Sequence, residues 1–142
     1  MTSGRMRVPA RIAQLHVASA FVEQSAAGAG MDAHAVQHVL LALEEAFINI
    51  ANYAYAGADG EVEIACLEQT GRFVLTLTDS GPPFDALARA VPDLSAPLAS
   101  RTAGGMGIHL IRAVTDEAAY ARVDGKNVLR LVFKKAGADR PS

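Results

Sequence analysis

Apolar residues recur along this chain in two rhythms. Between Ala10 and Gln24, Ile12, Leu15, Phe21 and Val22 return at helical intervals and predict a first helix. The stretch Ala26-Ala27-Gly28-Ala29-Gly30 reads as its stop and a turn. Val36, Leu40, Leu43, Phe47 and Ile50 are spaced four, three, four and three, which makes one buried stripe. Asp32 stands where an N-cap belongs, so this second helix is expected to run from there to about Tyr53. The rhythm then changes to alternation. Val62, Ile64 and Cys66 share one face of a strand over Glu61 to Leu67, and Phe73, Leu75 and Leu77 share one face of the next. Gln69-Thr70-Gly71 turns between them. Gly104-Gly105-Met106-Gly107 opens a third helix, Ile108 to about Val114, and Ala118 to Val123 and Val128 to Phe133 flank a hairpin turn in Asp124-Gly125-Lys126-Asn127. Met6-Arg7-Val8 is a short strand before Pro9. The order β-α-α-β-β-loop-α-β-β predicts an α+β fold, a mixed and mostly antiparallel sheet with helices on one face.

Length and composition narrow the class. A chain of 142 residues is the size of one domain, expected to span 1–142. Thirteen basic and fifteen acidic residues leave a net charge of −2, so neither a nucleic-acid footprint nor a polybasic membrane patch is present. Trp is absent. Cys66, the one cysteine, has no intrachain partner and reads as core. No apolar run reaches the roughly 18 residues of a membrane span, and Met1 to Ala10 holds no hydrophobic signal region, so a cytoplasmic protein is expected.

Three places could carry chemistry. Glu45, Asn49 and Asn52 fall on one side of the long helix, away from Val36, Leu43 and Phe47. A solvated face is the simple explanation. Against it, Asn is a mediocre helix former, and these stand among Ala46, Ala51 and Ala54, where a carboxylate and an amide oxygen one turn apart could serve as base and hard-cation ligand. Asp79-Ser80-Gly81 ends a strand, which suits either a turn cap or a carboxylate aimed at a pocket, with Phe84 placed to pack on a flat ligand. The glycines at 104, 105 and 107 suit a hinge or a phosphate-binding helix start. No Lys-Ser or Lys-Thr follows, so this is not a Walker loop. His34 and His38 are four apart and could hold a metal, though such pairs are more often simply exposed.

Singly these signals are weak, but their order is specific. Glu45-Ala46-Phe47-Ile48-Asn49-Ile50-Ala51-Asn52-Tyr53-Ala54-Tyr55 resembles the N box of the GHKL ATP-binding superfamily. Asp79-Ser80-Gly81-Pro82-Pro83-Phe84-Asp85 resembles its first glycine box and Gly104-Gly105-Met106-Gly107-Ile108-His109-Leu110 its second. The short length, the Tyr-Ala-Tyr and the Phe-Asp are similar to the RsbW/SpoIIAB branch, bacterial anti-sigma factors that are serine/threonine protein kinases. The resemblance covers about residues 5–135.

It implies a Bergerat-type two-layer α/β sandwich with ATP between helices and sheet. Glu45 matches the general base and Asn49 the Mg²⁺ ligand. Asp79 matches the acceptor of the adenine amino group, and Gly81 lets the purine approach. Gly104, Gly105, Met106, Gly107 and Ile108 match the phosphate-contacting box, residues 86–103 the ATP lid, and Arg101 a phosphate contact within it. Phe84 and Asn127 complete the expected nucleotide site, Asn127 standing in the stretch where the family often has a Thr. The implied activity is ATP-dependent phosphorylation of a serine on a STAS-domain anti-sigma factor antagonist. A sigma factor would be a second partner, and the chain would act as a homodimer. The alternative is a catalytically silent ATP-binding partner switch, which the presence of Glu45 argues against.

Overall fold

A computed structural model describes residues 3–55, 59–85, 87 and 105–135, with the side chains of 105–109 outside the description. The first strand, β1, is Ser3–Pro9; it begins earlier than Met6 because its register with the next strand extends through Ser3↔Leu67. A single 3-10 turn, Ile12–Gln14, leads into α1, Leu15–Gly28. The helix stops later than the first glycine. Gly28 stays helical, and the reversal falls at Gly30, whose φ of +88° suits a residue without a Cβ. The Gly30 and Met31 amides close the end by donating to Ala27 O (3.0 Å) and Ala26 O (3.1 Å).

Helix α2 is Ala33–Asn49, and the Asp32 side chain caps it by accepting from the Ala35 amide at 2.8 Å. Its α-helical span ends short of the expected Tyr53. Ile50–Ala54 continue as a π-helical turn, wider than an α turn and common at functional sites. Strands β2 (Glu61–Gln69), β3 (Arg72–Asp79), β4 (Glu117–Val123) and β5 (Lys126–Lys134) and helix α3 (Gly105–Val114) complete the fold.

The sheet order is β1-β2-β3-β5-β4, and all four pairings are antiparallel. The final hairpin is tighter than the four-residue expectation. Asp124 and Gly125 alone form the turn, both at positive φ (50° and 76°), as a type I′ turn requires. Lys126 and Asn127 therefore belong to β5. Helix α1 packs on β1 and β2, α2 on β3, and α2 contacts both α1 and α3. The core between helices and sheet collects Val22, Val39, Leu43 and Phe47 against Ile64, Phe73, Leu75, Leu77 and Leu131, with Cys66 buried among them. Among the described residues no helix is long and apolar enough to cross a membrane.

Candidate functional site

The strand registers build one end of the site. Val8, Val62, Asp79, Asn127 and Arg122 lie opposite one another across all five strands, so they form a single row on the helix-facing side. On β1 and β2 that row is apolar. On β3, β5 and β4 it becomes a polar triad. Asp79 and Asn127 are buried, 6% and 5% exposed. One Asp79 carboxylate oxygen accepts from the Gly81 amide (2.9 Å) and from Asn127 Nδ2 (3.0 Å). Among the described residues no donor reaches its other oxygen.

Helix α2 and its π-helical extension build the opposite wall. Ala46, Asn49, Ile50 and Ala54 face Leu77, Asp79, Phe84, Tyr120, Asn127 and Leu129 across a cleft of about 440 Å³, mouth included. Asn49 is 3% exposed, and among the described residues neither its Oδ1 nor its Nδ2 has a hydrogen-bond partner. Buried amides are nearly always bonded, and leaving one unmade costs about 1–3 kcal/mol, so this one points to a ligand. Glu45, one turn earlier, is half-buried. Burial, and secondarily the neighbouring Glu44, raises its carboxyl above the ordinary value. Asn52, grouped with them on helical spacing, is exposed. The π-helical turn accounts for this, because a wider turn carries a residue three positions on away from the α-helical azimuth.

Aromatic residues lock the mouth. Tyr55 Oη donates to Glu61 O (2.6 Å) and accepts from the Ser80 amide (2.8 Å), tying the π turn to β2 and to the end of β3. Gly81 sits so close to this turn that a Cβ there would lie 2.3 Å from Ala54 O. Phe84 lines the cleft and stacks on Tyr53 at 5.9 Å with rings 21° apart. Its amide donates to Asn127 Oδ1 at 3.0 Å.

The structure thus brings Asn49, Asp79, Phe84 and Asn127 to one cleft, with Gly81 at its edge. Gly105, Met106, Gly107 and Ile108 form the first turn of α3. Arg101 and Gly104 lie outside the described residues, as does all of 86–103 except Leu87. His34 and His38 touch edge to face at 4.4 Å, and among the described residues no cluster of three or more His, Cys, Asp or Glu could hold a metal. Sequence reasoning gives no role in the site to Tyr55, Tyr120 or Arg122. For the last two a signal exists: a two-residue Asp124-Gly125 turn forces Arg122 opposite Asn127, and alternation puts Tyr120 on the same face.

A five-stranded antiparallel sheet with helices on one face, and a cleft between them carrying a buried carboxylate and an orphan amide, defines a ligand-binding α+β sandwich. The chain belongs to the histidine kinase-like ATPase domain family, whose model matches residues 8–133. It is similar to the serine-protein kinase RsbW of Bacillus thuringiensis (strain Al Hakam) and of Bacillus cereus (strain 03BB102). Each is 27% identical over 128 residues, which covers 87% of this chain and 80% of the relative. Among solved structures it resembles the RsbU and RsbW domains of Rv1364c from Mycobacterium tuberculosis, with a TM-score of 0.68 and 17% identity. That match covers 100% of this chain and 34% of the longer one. It also resembles the Acinetobacter baumannii histidine kinase AdeS, with a TM-score of 0.52 and 14% identity over 96% of this chain and 70% of that one. At these identities the two structures speak for the fold alone. The residues present fit a nucleotide: a single open carboxylate oxygen at the sheet end, an apolar cleft wall, and an unpartnered amide on the facing helix.

Proposed function

We propose that this chain is an ATP-dependent serine/threonine protein kinase of the anti-sigma type. Its substrate is a serine of a STAS-domain antagonist, and its other partner is a sigma factor. The observation that carries the nucleotide half is the buried amide of Asn49, without a partner among the described residues, in the cleft that also holds Asp79. The kinase half rests on Glu45 and on Bacillus relatives named serine-protein kinase RsbW. The homodimer is proposed from family resemblance.

In this reading Asp79 offers its open oxygen to the adenine amino group, and Gly81 keeps the strand end low enough for a base to approach. Phe84, stacked on Tyr53, gives one side of the cleft a flat apolar wall. Asn49 would hold Mg²⁺ through its amide oxygen, the hard donor such a cation prefers, and the ion would supply neutralisation of phosphate charge. The box of Gly104, Gly105, Met106, Gly107 and Ile108 supplies backbone N–H groups to phosphate, with Arg101 as a further phosphate contact. ATP, when bound, supplies the phosphoryl group. Glu45 accepts the proton of the serine hydroxyl, a task helped by a carboxyl raised above its ordinary value. Phosphoryl transfer asks little more of a protein than positioning and charge neutralisation.

The test is transfer from Mg-ATP to a STAS protein encoded beside this chain, read as phosphoserine. Wild type yields phosphoserine, and Glu45→Ala yields none while still binding ATP. Absence of phosphoserine with wild type under ATP-binding conditions overturns the kinase assignment and leaves the silent switch.

A further inference from the structure

The polar triad at the end of the sheet has an arrangement beyond what the family resemblance specifies. Asn127 lines the cleft, yet the protein uses all its hydrogen-bonding capacity. An Asn side chain has two N–H donors and an oxygen with two lone pairs. Nδ2 donates to Asp79 Oδ1 (3.0 Å) and to Pro82 O (2.8 Å). Oδ1 accepts from Tyr120 Oη (2.6 Å), the Phe84 amide (3.0 Å) and Arg122 Nη1 (3.2 Å). Arg122 Nη1 also donates to Gly81 O at 2.7 Å. Asn127 thus binds the strand-end carboxylate, the prolyl loop and β4 into one network. Nothing of it is left to contact a ligand.

The consequence lies with Asp79. Asn127 and the Gly81 amide both occupy the same carboxylate oxygen, which leaves the other, with no donor among the described residues, as the lone acceptor of a side chain that lines the cleft. A carboxylate with both oxygens open is a good partner for guanine, whose N1–H and 2-amino group donate side by side. A single fixed oxygen suits a base edge that offers one isolated N–H donor, as the 6-amino group of adenine does, and opposes the 6-oxo acceptor that guanine carries at that position. We infer that Asn127 is a positioning residue that sets base specificity, holding Asp79 so that the cleft takes a 6-aminopurine and refuses guanine. This rests on the nucleotide reading above. It assigns to Asn127 a role through Asp79 rather than contact with the base.

The experiment is calorimetric titration of the full chain with ADP and with GDP, for wild type, Asn127→Ala and Tyr120→Phe. Tyr120→Phe removes the 2.6 Å bond to Asn127 Oδ1 while leaving both Asn127 donors in place, and it keeps the proposal testable if Asn127→Ala fails to fold. Backbone amide exchange at Gly81 and Phe84 is measured in parallel. Wild type should prefer ADP by about a hundredfold, since mispairing a buried polar group typically loses one to two decades in affinity. Asn127→Ala should narrow that ratio by about tenfold, by weakening ADP and strengthening GDP, and should speed exchange at Gly81 and Phe84. Tyr120→Phe should shift the ratio the same way by a smaller factor. A folded variant that loses affinity for both nucleotides equally overturns the inference, because a merely structural role lowers both together. If wild type binds neither nucleotide, the nucleotide reading itself fails. If wild type binds ADP and no variant moves the ratio, only the role of Asn127 fails.

Discussion

Replacing Asn49 by Leu should make the protein more stable and unable to bind nucleotide. Leu shares the branching of the Asn side chain and carries no polar atom. The Asn49 amide is desolvated on α2 with no hydrogen bond among the described residues, so it opposes folding by about 1–3 kcal/mol. Leu removes that cost and adds apolar contact with the cleft wall of Ala46, Ile50 and Leu77. The entropy of unfolding near the midpoint is about 2.1 cal/mol/K per residue. For a chain of this size that makes each kcal/mol worth roughly 3 °C, so a rise of about 3–9 °C in Tm is expected. Calorimetric unfolding gives the stability, and titration with Mg-ATP gives the binding. Higher stability with lost binding is the signature of a site residue kept at the expense of stability. An Asn49→Leu variant that melts below wild type, or that binds Mg-ATP unchanged, would refute the reasoning.

Other substitutions probe the same cleft. Gly81→Ala places a methyl 2.3 Å from Ala54 O, a backbone atom that cannot swing aside, and should cost about 1–3 kcal/mol; an unchanged melting temperature would contradict the packing described. Glu45→Gln should abolish phosphoserine formation while leaving ATP binding intact in a titration. The same variant has a pH signature. The folded chain holds the Glu45 proton more tightly than the unfolded chain, so wild-type stability should fall as pH rises from the ordinary value of 4.5 through the raised one. Glu45→Gln should lose that portion of the slope in melts at a series of pH values, and identical slopes would count against the raised carboxyl. Tyr55→Phe removes both bonds that tie the π turn to the strands and should cost about 1–2 kcal/mol, with faster exchange of the Ser80 amide; unaltered exchange would sink the locking role.

Much of the fold is legible in residue rhythm, and the exceptions have identifiable causes. The stripe from Val36 to Ile50 packs on the core, and Asp32 caps the helix as its residue type suggests. The alternation in β2 and β3 puts Ile64, Cys66, Leu75 and Leu77 inside. Boundaries shift where tertiary pairing decides. β1 reaches Ser3 because β2 offers partners through Leu67, and the helix before Gly30 passes straight through Gly28. The site is legible up to one step of geometry. Asn49 stands out as an amide among alanines and Asp79 as a carboxylate at a strand end, and both are buried on the same cleft. Asn52 does not join them, because the change from α to π hydrogen bonding is invisible to a periodicity of 3.6. The Asn127 network is hidden for a different reason. It depends on the register of two strand pairings at once, and only a two-residue turn aligns Arg122, Asn127 and Asp79.

The central claim is that the cleft between α2 and the end of β3 binds ATP through the open oxygen of Asp79. The most direct measurement is a calorimetric titration of the full chain with Mg-ATP and with Mg-ITP, which differs in carrying a 6-oxo group where adenine has its amino group. Saturable binding of one ATP per chain is expected, with ITP weaker by at least about tenfold, because an acceptor replaces a donor opposite a buried carboxylate. Equal affinity for the two nucleotides, or no binding of ATP, would contradict it.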